Sequence, residues 1–154
     1  MILAREWDAG EYEKLSAPQT RWGIEVLERV EVRGDEAVID AGCGTGRVTE
    51  LLLAKLPEGS VLAIDGSWAM VEAARRRFAG ESRVRVERQD LLWLDVEERV
   101  DLIFSTATFH WIWDHDRLFE NLALALKPGG RLVAQCGGYG NIANVQAAID
   151  AVDH

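Results

Sequence analysis

Three glycines at alternate positions, Gly42, Gly44 and Gly46, separate an apolar run from a helix-like stretch in AVIDAGCGTGRVTELL, residues 37–52. Backbone this bare can approach a ligand closely and adopt positive φ, as nucleotide-binding loops do. The dinucleotide fingerprint is GxGxxG. Here the spacing is GxGxG, and Arg47 follows Gly46. Asp40 also stands directly before the loop. A carboxylate is repelled by a pyrophosphate and attracted by an amino group, so the pattern points to a ligand carrying an ammonium where NAD carries phosphates. Two further acids end strand-like runs. Asp65 closes SVLAID, and its two oxygens suit both hydroxyls of a ribose. Asp90 follows RVRVER, close to where an adenine amino group would lie. One strand-terminal Asp is often a turn former or a helix cap; three in succession around a glycine loop describe a site for a nucleoside with a charged tail.

Such a site needs strands that deliver the acids to one end, and the chain alternates accordingly. PQTRWGIEVLERV predicts a helix with Pro18 in its first turn and Trp22, Val26, Leu27 and Val30 on one face. EAVIDA predicts a buried strand, and GRVTELLLAKL a helix facing inward through Val48, Leu51, Leu52 and Leu56, stopped by PEG. SVLAID is the second strand. SWAMVEAARRRFA follows as a helix, with Ser67 as N-cap and Gly80 past its end. RVRVER alternates as a half-exposed strand should. DLLWLDVEERV is a connection and DLIFST a central strand. DHDRLFENLALALK carries Leu118, Leu122 and Leu126 in helical register and is ended by PGG. RLVAQC is the fifth strand, and NVQAAIDAV begins another helix. Strands separated by helices of this length imply a doubly wound α/β domain with a mainly parallel sheet of about five strands and helices on both faces. One domain, 1–154, is expected, with an N-terminal cap and helix over 1–35 and the core over 36–154.

Composition narrows the partners. The 154 residues suit one hydrophobic core. Lys and Arg total 17 against 26 Asp and Glu, a net charge of -9, which disfavours nucleic acid and anionic membrane surfaces. A small ligand, such as a small-molecule acceptor, or a protein partner is the better expectation. Cys43 and Cys136 lie in no zinc-ligand spacing, so no metal is expected and both read as buried or half-buried free thiols. MILAREWDAGEYEKL is charged within five residues and lacks the apolar core of a signal peptide. A cytoplasmic location is expected.

Through VIDAGCGTGR, LAIDGSWAMVEAAR, RQDLLWL, DLIFSTATFHWIWDH and LKPGGRLVAQ, in that order, the sequence resembles the class I S-adenosylmethionine-dependent methyltransferases. WDAGEYEKL, MVEAAR and FHWIWDH look nearest to the trans-aconitate methyltransferase-like group. The resemblance implies a Rossmann-like fold, S-adenosylmethionine as cofactor and S-adenosylhomocysteine as product. By the same resemblance Gly42, Gly44 and Gly46 line the methionyl and ribose portion, with Asp40 near the ammonium. Asp65 holds the ribose with Gly66, Ser67 and Met70 beside it, and Asp90 receives the adenine amino group with Leu91 against the ring. Ser105 and Thr106 flank the sulfonium, Tyr12 closes over the cofactor, and Trp111 walls the active site.

The group also suggests O-methylation of a carboxylate on a small acidic metabolite. A carboxylate is ionised near neutral pH and needs no general base; another acceptor would need one, and His110 is the candidate. His110, Trp111 and Trp113 read equally well as packing residues. Arg21 could pair with an acidic substrate or simply be an exposed helix residue, and Arg75, Arg76 and Arg77 read as a solvated helix face. Relatives continue past the fifth strand into a helix and an antiparallel hairpin, whereas this sequence ends at His154. The expectation is a sheet without that hairpin and self-association through the fifth strand or the terminal helix. Two functions follow: a methyltransferase, or a truncated, catalytically incompetent domain that only binds the cofactor. A nicotinamide dehydrogenase is a distant third.

Overall fold

A computed structural model describes residues 17–138 and residue 140. Helix α1 (Ala17–Glu28) leads into β1 (Ala37–Ala41), α2 (Arg47–Ala54), β2 (Ser60–Asp65), α3 (Trp68–Arg77) and β3 (Val84–Arg88). Then come β4 (Val100–Thr106), α4 (His115–Ala125) and β5 (Leu126–Gln135), with short 3-10 turns at Leu91–Trp93 and Phe109–Trp111. The strands are ordered β3-β2-β1-β4-β5 and every pairing is parallel. Strand order reverses between β1 and β4, so the crevice beyond their carboxyl ends is the switch point where such sheets bind ligands.

Alternation along β1 explains how the sheet is covered on both faces. Val38 packs with Leu27, Val30, Leu52, Leu56 and Phe104 beneath α1 and α2. Ile39 and Ala41 face the other way, onto Leu118, Leu122 and Ala125 of α4. Ile39, Ile64, Leu102, Ile103 and Phe104 are completely buried, and each such side chain contributes about 1.5–3 kcal/mol. The central strands are therefore a rigid floor for the loops at their carboxyl ends.

Several local expectations are corrected. On α2 Leu52 faces inward as expected, but it is joined there by Leu53, and Leu51 is exposed. On α1 Leu27 is buried while Trp22 is exposed, and Val30 is buried just past the helix end. Leu126 opens β5 instead of closing α4, and the PGG segment lies within β5, where the pairing jumps from Val100 with Leu126 to Leu102 with Arg131. Cys43 is buried, whereas Cys136 is exposed. Ser67 occupies the N-cap position of α3, but its side chain makes no capping bond. Arg77 is no solvated face residue: its Nε donates to the Thr45 carbonyl at 2.9 Å and its guanidinium pairs with Glu50.

Among the described residues β5 pairs only with β4 and is a sheet edge; the expected terminal helix and Tyr12 lie outside them. No helix of the described residues is long and apolar enough to cross a membrane.

Candidate functional site

The loop after β1 is shaped by its glycines and pinned to β2. Gly42, Gly44 and Gly46 all have positive φ, at 86°, 54° and 83°, a region that costs residues with a Cβ. Gly42 N–H and Cys43 N–H both donate to the Ile64 carbonyl, at 2.8 and 2.9 Å. Gly44 N–H donates to Asp65 Oδ2 at 2.9 Å. Close packing adds a second constraint. A Cβ on Gly46 would sit 2.6 Å from the Phe78 ring, and one on Gly42 would overlap Thr108.

Asp40 ends up beneath this loop, 3% exposed. Its Oδ2 accepts the Thr49 hydroxyl of α2 at 2.6 Å. Burial, with the Asp65 carboxylate nearby and the Thr49 bond opposing both, pushes the Asp40 pKa up to about 7. The buried Cys43 thiol is raised by desolvation and by the same two acids. Two neighbouring carboxylates at a crevice form a site that repels anions and that a cation would relieve. The donor set fits a ligand with an ammonium and does not fit a pyrophosphate. Arg77, a cation that reaches this loop from α3, is directed at the Thr45 carbonyl and Glu50.

The other acids follow along the same edge of the sheet. Asp65 Oδ1 accepts Ser67 N–H at 2.9 Å, so both of its oxygens already hold backbone. Each carboxylate oxygen has a further lone pair, and Asp65 is half-buried, so a ribose could still be accepted. Asp90 Oδ1 accepts Leu92 N–H at 2.9 Å and caps the short turn that buries Leu91 and Leu92. Met70 and Ser67 are buried in the first turn of α3 and at its cap, and the Gly66 carbonyl accepts Arg88 Nε–H.

At the end of β4 lie the two residues expected beside the sulfonium, Ser105 and Thr106. Ser105 is buried and its hydroxyl donates to the Ala41 carbonyl at 2.6 Å, which ties β4 to β1. Thr106 is half-buried at the strand terminus. Ala107 is held at φ 54°, the one described non-glycine residue with positive φ, while its N–H donates to the Gln135 carbonyl at 2.8 Å. This reversal drops Thr108 onto Gly42, so the two loops flanking the switch point touch.

His110 and Trp111 lie on the turn that follows. Gly137 N–H donates to His110 Nδ1 at 3.3 Å, which assigns the proton of the neutral ring to Nε2. Desolvation lowers the His110 pKa from its ordinary 6.5, and the ring tilts against Trp111 at 4.8 Å. Trp111 is 57% exposed and Trp113 more so. Arg21 pairs with Glu25 at 3.2 Å on the outer surface of α1, the arrangement of an ordinary exposed helix residue.

Thr49, Arg77 and Thr108 were not foreseen from the sequence. Thr49 alone had a readable signal, a polar residue among the inward positions of α2.

Comparison with known proteins places this geometry in context. A family model described as a methyltransferase domain matches residues 38–130. A trans-aconitate 2-methyltransferase of Methylobacterium nodulans is 40% identical over 130 residues, 84% of this chain and 49% of the relative. The chain thus spans about half the length of the curated relatives it matches. A solved S-adenosylmethionine-dependent methyltransferase from Clostridium acetobutylicum superposes with a TM-score of 0.71 at 26% identity, covering 89% of this chain and 59% of that one. One from Aquifex aeolicus gives 0.68 at 26% identity, covering 82% and 71%.

Proposed function

The chain belongs to the methyltransferase-domain family, and from that premise we propose that it binds S-adenosylmethionine and serves methyl transfer to a carboxylate of a small acidic metabolite. The observation that carries the cofactor reading is the buried Asp40 carboxylate beside Asp65 under a GxGxG loop, a site built for a positively charged tail on a nucleoside. The carboxylate acceptor is favoured by the likeness to trans-aconitate 2-methyltransferases.

The cofactor supplies the chemistry, because a sulfonium methyl is already activated toward displacement. The residues of this chain bind, align and exclude water. Asp40 would face the ammonium, Asp65 the ribose hydroxyls and Asp90 the adenine amino group. The glycine loop lets the backbone come close, and Met70 and Leu91 supply apolar walls. Thr106 marks where β4 meets the reacting centre. His110 is a positioning group: its Nδ1 is engaged by Gly137 and its Nε2 carries the proton, so it can donate a hydrogen bond but not take up a proton there. Trp111 forms part of the wall on the acceptor side.

Calorimetric titration with S-adenosylmethionine, S-adenosylhomocysteine and NAD tests the first half. Tighter binding of NAD than of either adenosyl ligand would overturn it. A labelled-methyl transfer screen over small carboxylic acids tests the second half, and transfer to amines or phenols alone would overturn the acceptor assignment.

A further inference from the structure

A buried threonine near the start of a helix commonly turns its hydroxyl back to the carbonyl four residues earlier. Thr49 does not. It is completely buried on α2, and its single hydroxyl proton goes to Asp40 Oδ2 at 2.6 Å, the length of a charge-assisted bond. The Thr45 carbonyl, its local alternative, receives Arg77 Nε instead. Strand β1 and helix α2 are thus joined through the one side chain in the crevice that has both burial and charge.

Resting on the cofactor reading above, we propose that Thr49 is a positioning residue, whose hydroxyl fixes the Asp40 carboxylate beneath the glycine loop as the partner of the cofactor's ammonium. The surroundings leave it little competition. At the level of Asp40, β2 and β4 contribute Ala63 and Phe104. The loop contributes the Cys43 thiol, and the end of β2 contributes Asp65, which repels Asp40. On the same face α1 brings Arg21 and Glu25, paired with each other. Helix α2 brings Arg47 and Glu50, the latter paired with Arg77 of α3. Of the influences acting on the Asp40 carboxyl, the Thr49 hydroxyl is the one that favours its charged form.

The consequence is a pH dependence specific to the ligand's tail. S-adenosylhomocysteine carries the ammonium, whereas 5′-methylthioadenosine has the same nucleoside without it. For the native protein, affinity for S-adenosylhomocysteine relative to methylthioadenosine should fall as pH drops below about 7, because Asp40 must then lose a proton to bind. In Thr49→Val the midpoint of that fall should move up by about one to two pH units, the worth of one hydrogen bond to a charged group. Thr49→Ser should restore it. Methylthioadenosine affinity should not follow either change.

Calorimetry of both ligands from pH 5.5 to 8.5 on the native chain and the two variants reads all of this. A Thr49→Val midpoint equal to the native one overturns the inference while leaving the cofactor reading intact. So does a native affinity ratio that ignores pH, an outcome that needs no variant to fold. Failure of both ligands to bind at any pH overturns the cofactor reading itself.

Discussion

Replacing Asp40 by asparagine should strengthen the ligand-free fold while weakening the site. The Asp40 carboxyl has a pKa of about 7 in the fold, against ~3.9 in an unfolded chain. The folded state therefore binds more protons than the unfolded state between those values, and stability declines as pH rises through that window. It is fully present below about pH 4 and fully lost above about pH 7. At ~1.4 kcal/mol per pH unit the whole span is worth about 4 kcal/mol, an upper figure because water can relax into a crevice. Asparagine carries no charge to desolvate and keeps an oxygen for the Thr49 hydroxyl, so Asp40→Asn removes the decline and little else. Between pH 5 and pH 8 the variant should gain about 2–3 kcal/mol on the native chain. Urea unfolding of both proteins at the two pH values reads that difference, in which the titrating groups not coupled to Asp40 cancel. At pH 8 the variant should also bind S-adenosylhomocysteine about 1.5–3 kcal/mol more weakly, through loss of a charged partner. A stability difference that is the same at pH 5 and pH 8 would refute the reasoning, since Asp40 would then not be a buried acid titrating near neutrality.

Asp65→Ala should weaken S-adenosylhomocysteine binding by about 2–4 kcal/mol, because it removes the ribose acceptor and frees Gly44 and Ser67 N–H together; titration at native-like affinity would remove the ribose assignment. Asp90→Ala should cost about 1–2 kcal/mol in the same titration, and an equal or larger loss than for Asp65→Ala would reverse their assigned importance. Gly42→Ala combines positive φ with overlap on Thr108, so it should destabilise the fold by about 1–3 kcal/mol. Thr108→Ala in the same chain removes the two atoms nearest the added Cβ and should recover part of that in thermal unfolding, and no recovery would place the cost in the backbone and the Thr108 Cβ. If transfer to a carboxylate is observed, His110→Gln should lower the rate without removing a limb of the pH–rate profile near ~6.5; a limb that vanishes would make His110 a true base.

What the sequence determined by itself is what depends on neighbours in the chain. Strand and helix periods differ, so alternation of the two along 37–135 dictated a parallel, doubly wound sheet, and the GxGxG loop with acids at the ends of successive strands marked one edge of it. The orientation of a helix about its own axis is a different matter. Leu51, Leu52 and Leu53 are equally apolar, and only docking against Val38, Val61 and Phe104 decides that Leu53 turns inward and Leu51 outward. Leu126 likewise continues a helical pattern, yet pairing with Val100 draws it into β5. The fine structure of the site was decided the same way. Ser105 reaches the Ala41 carbonyl across 64 residues of chain, and Thr108 reaches Gly42 across 66, because the strand order sets β4 beside β1. Arg77 reaches the glycine loop from a helix that begins after β2. Hydrogen bonds of this kind are short-ranged and directional, so they exist only once the strand order has placed their donors and acceptors within about 3 Å, and no local pattern of residues encodes that placement.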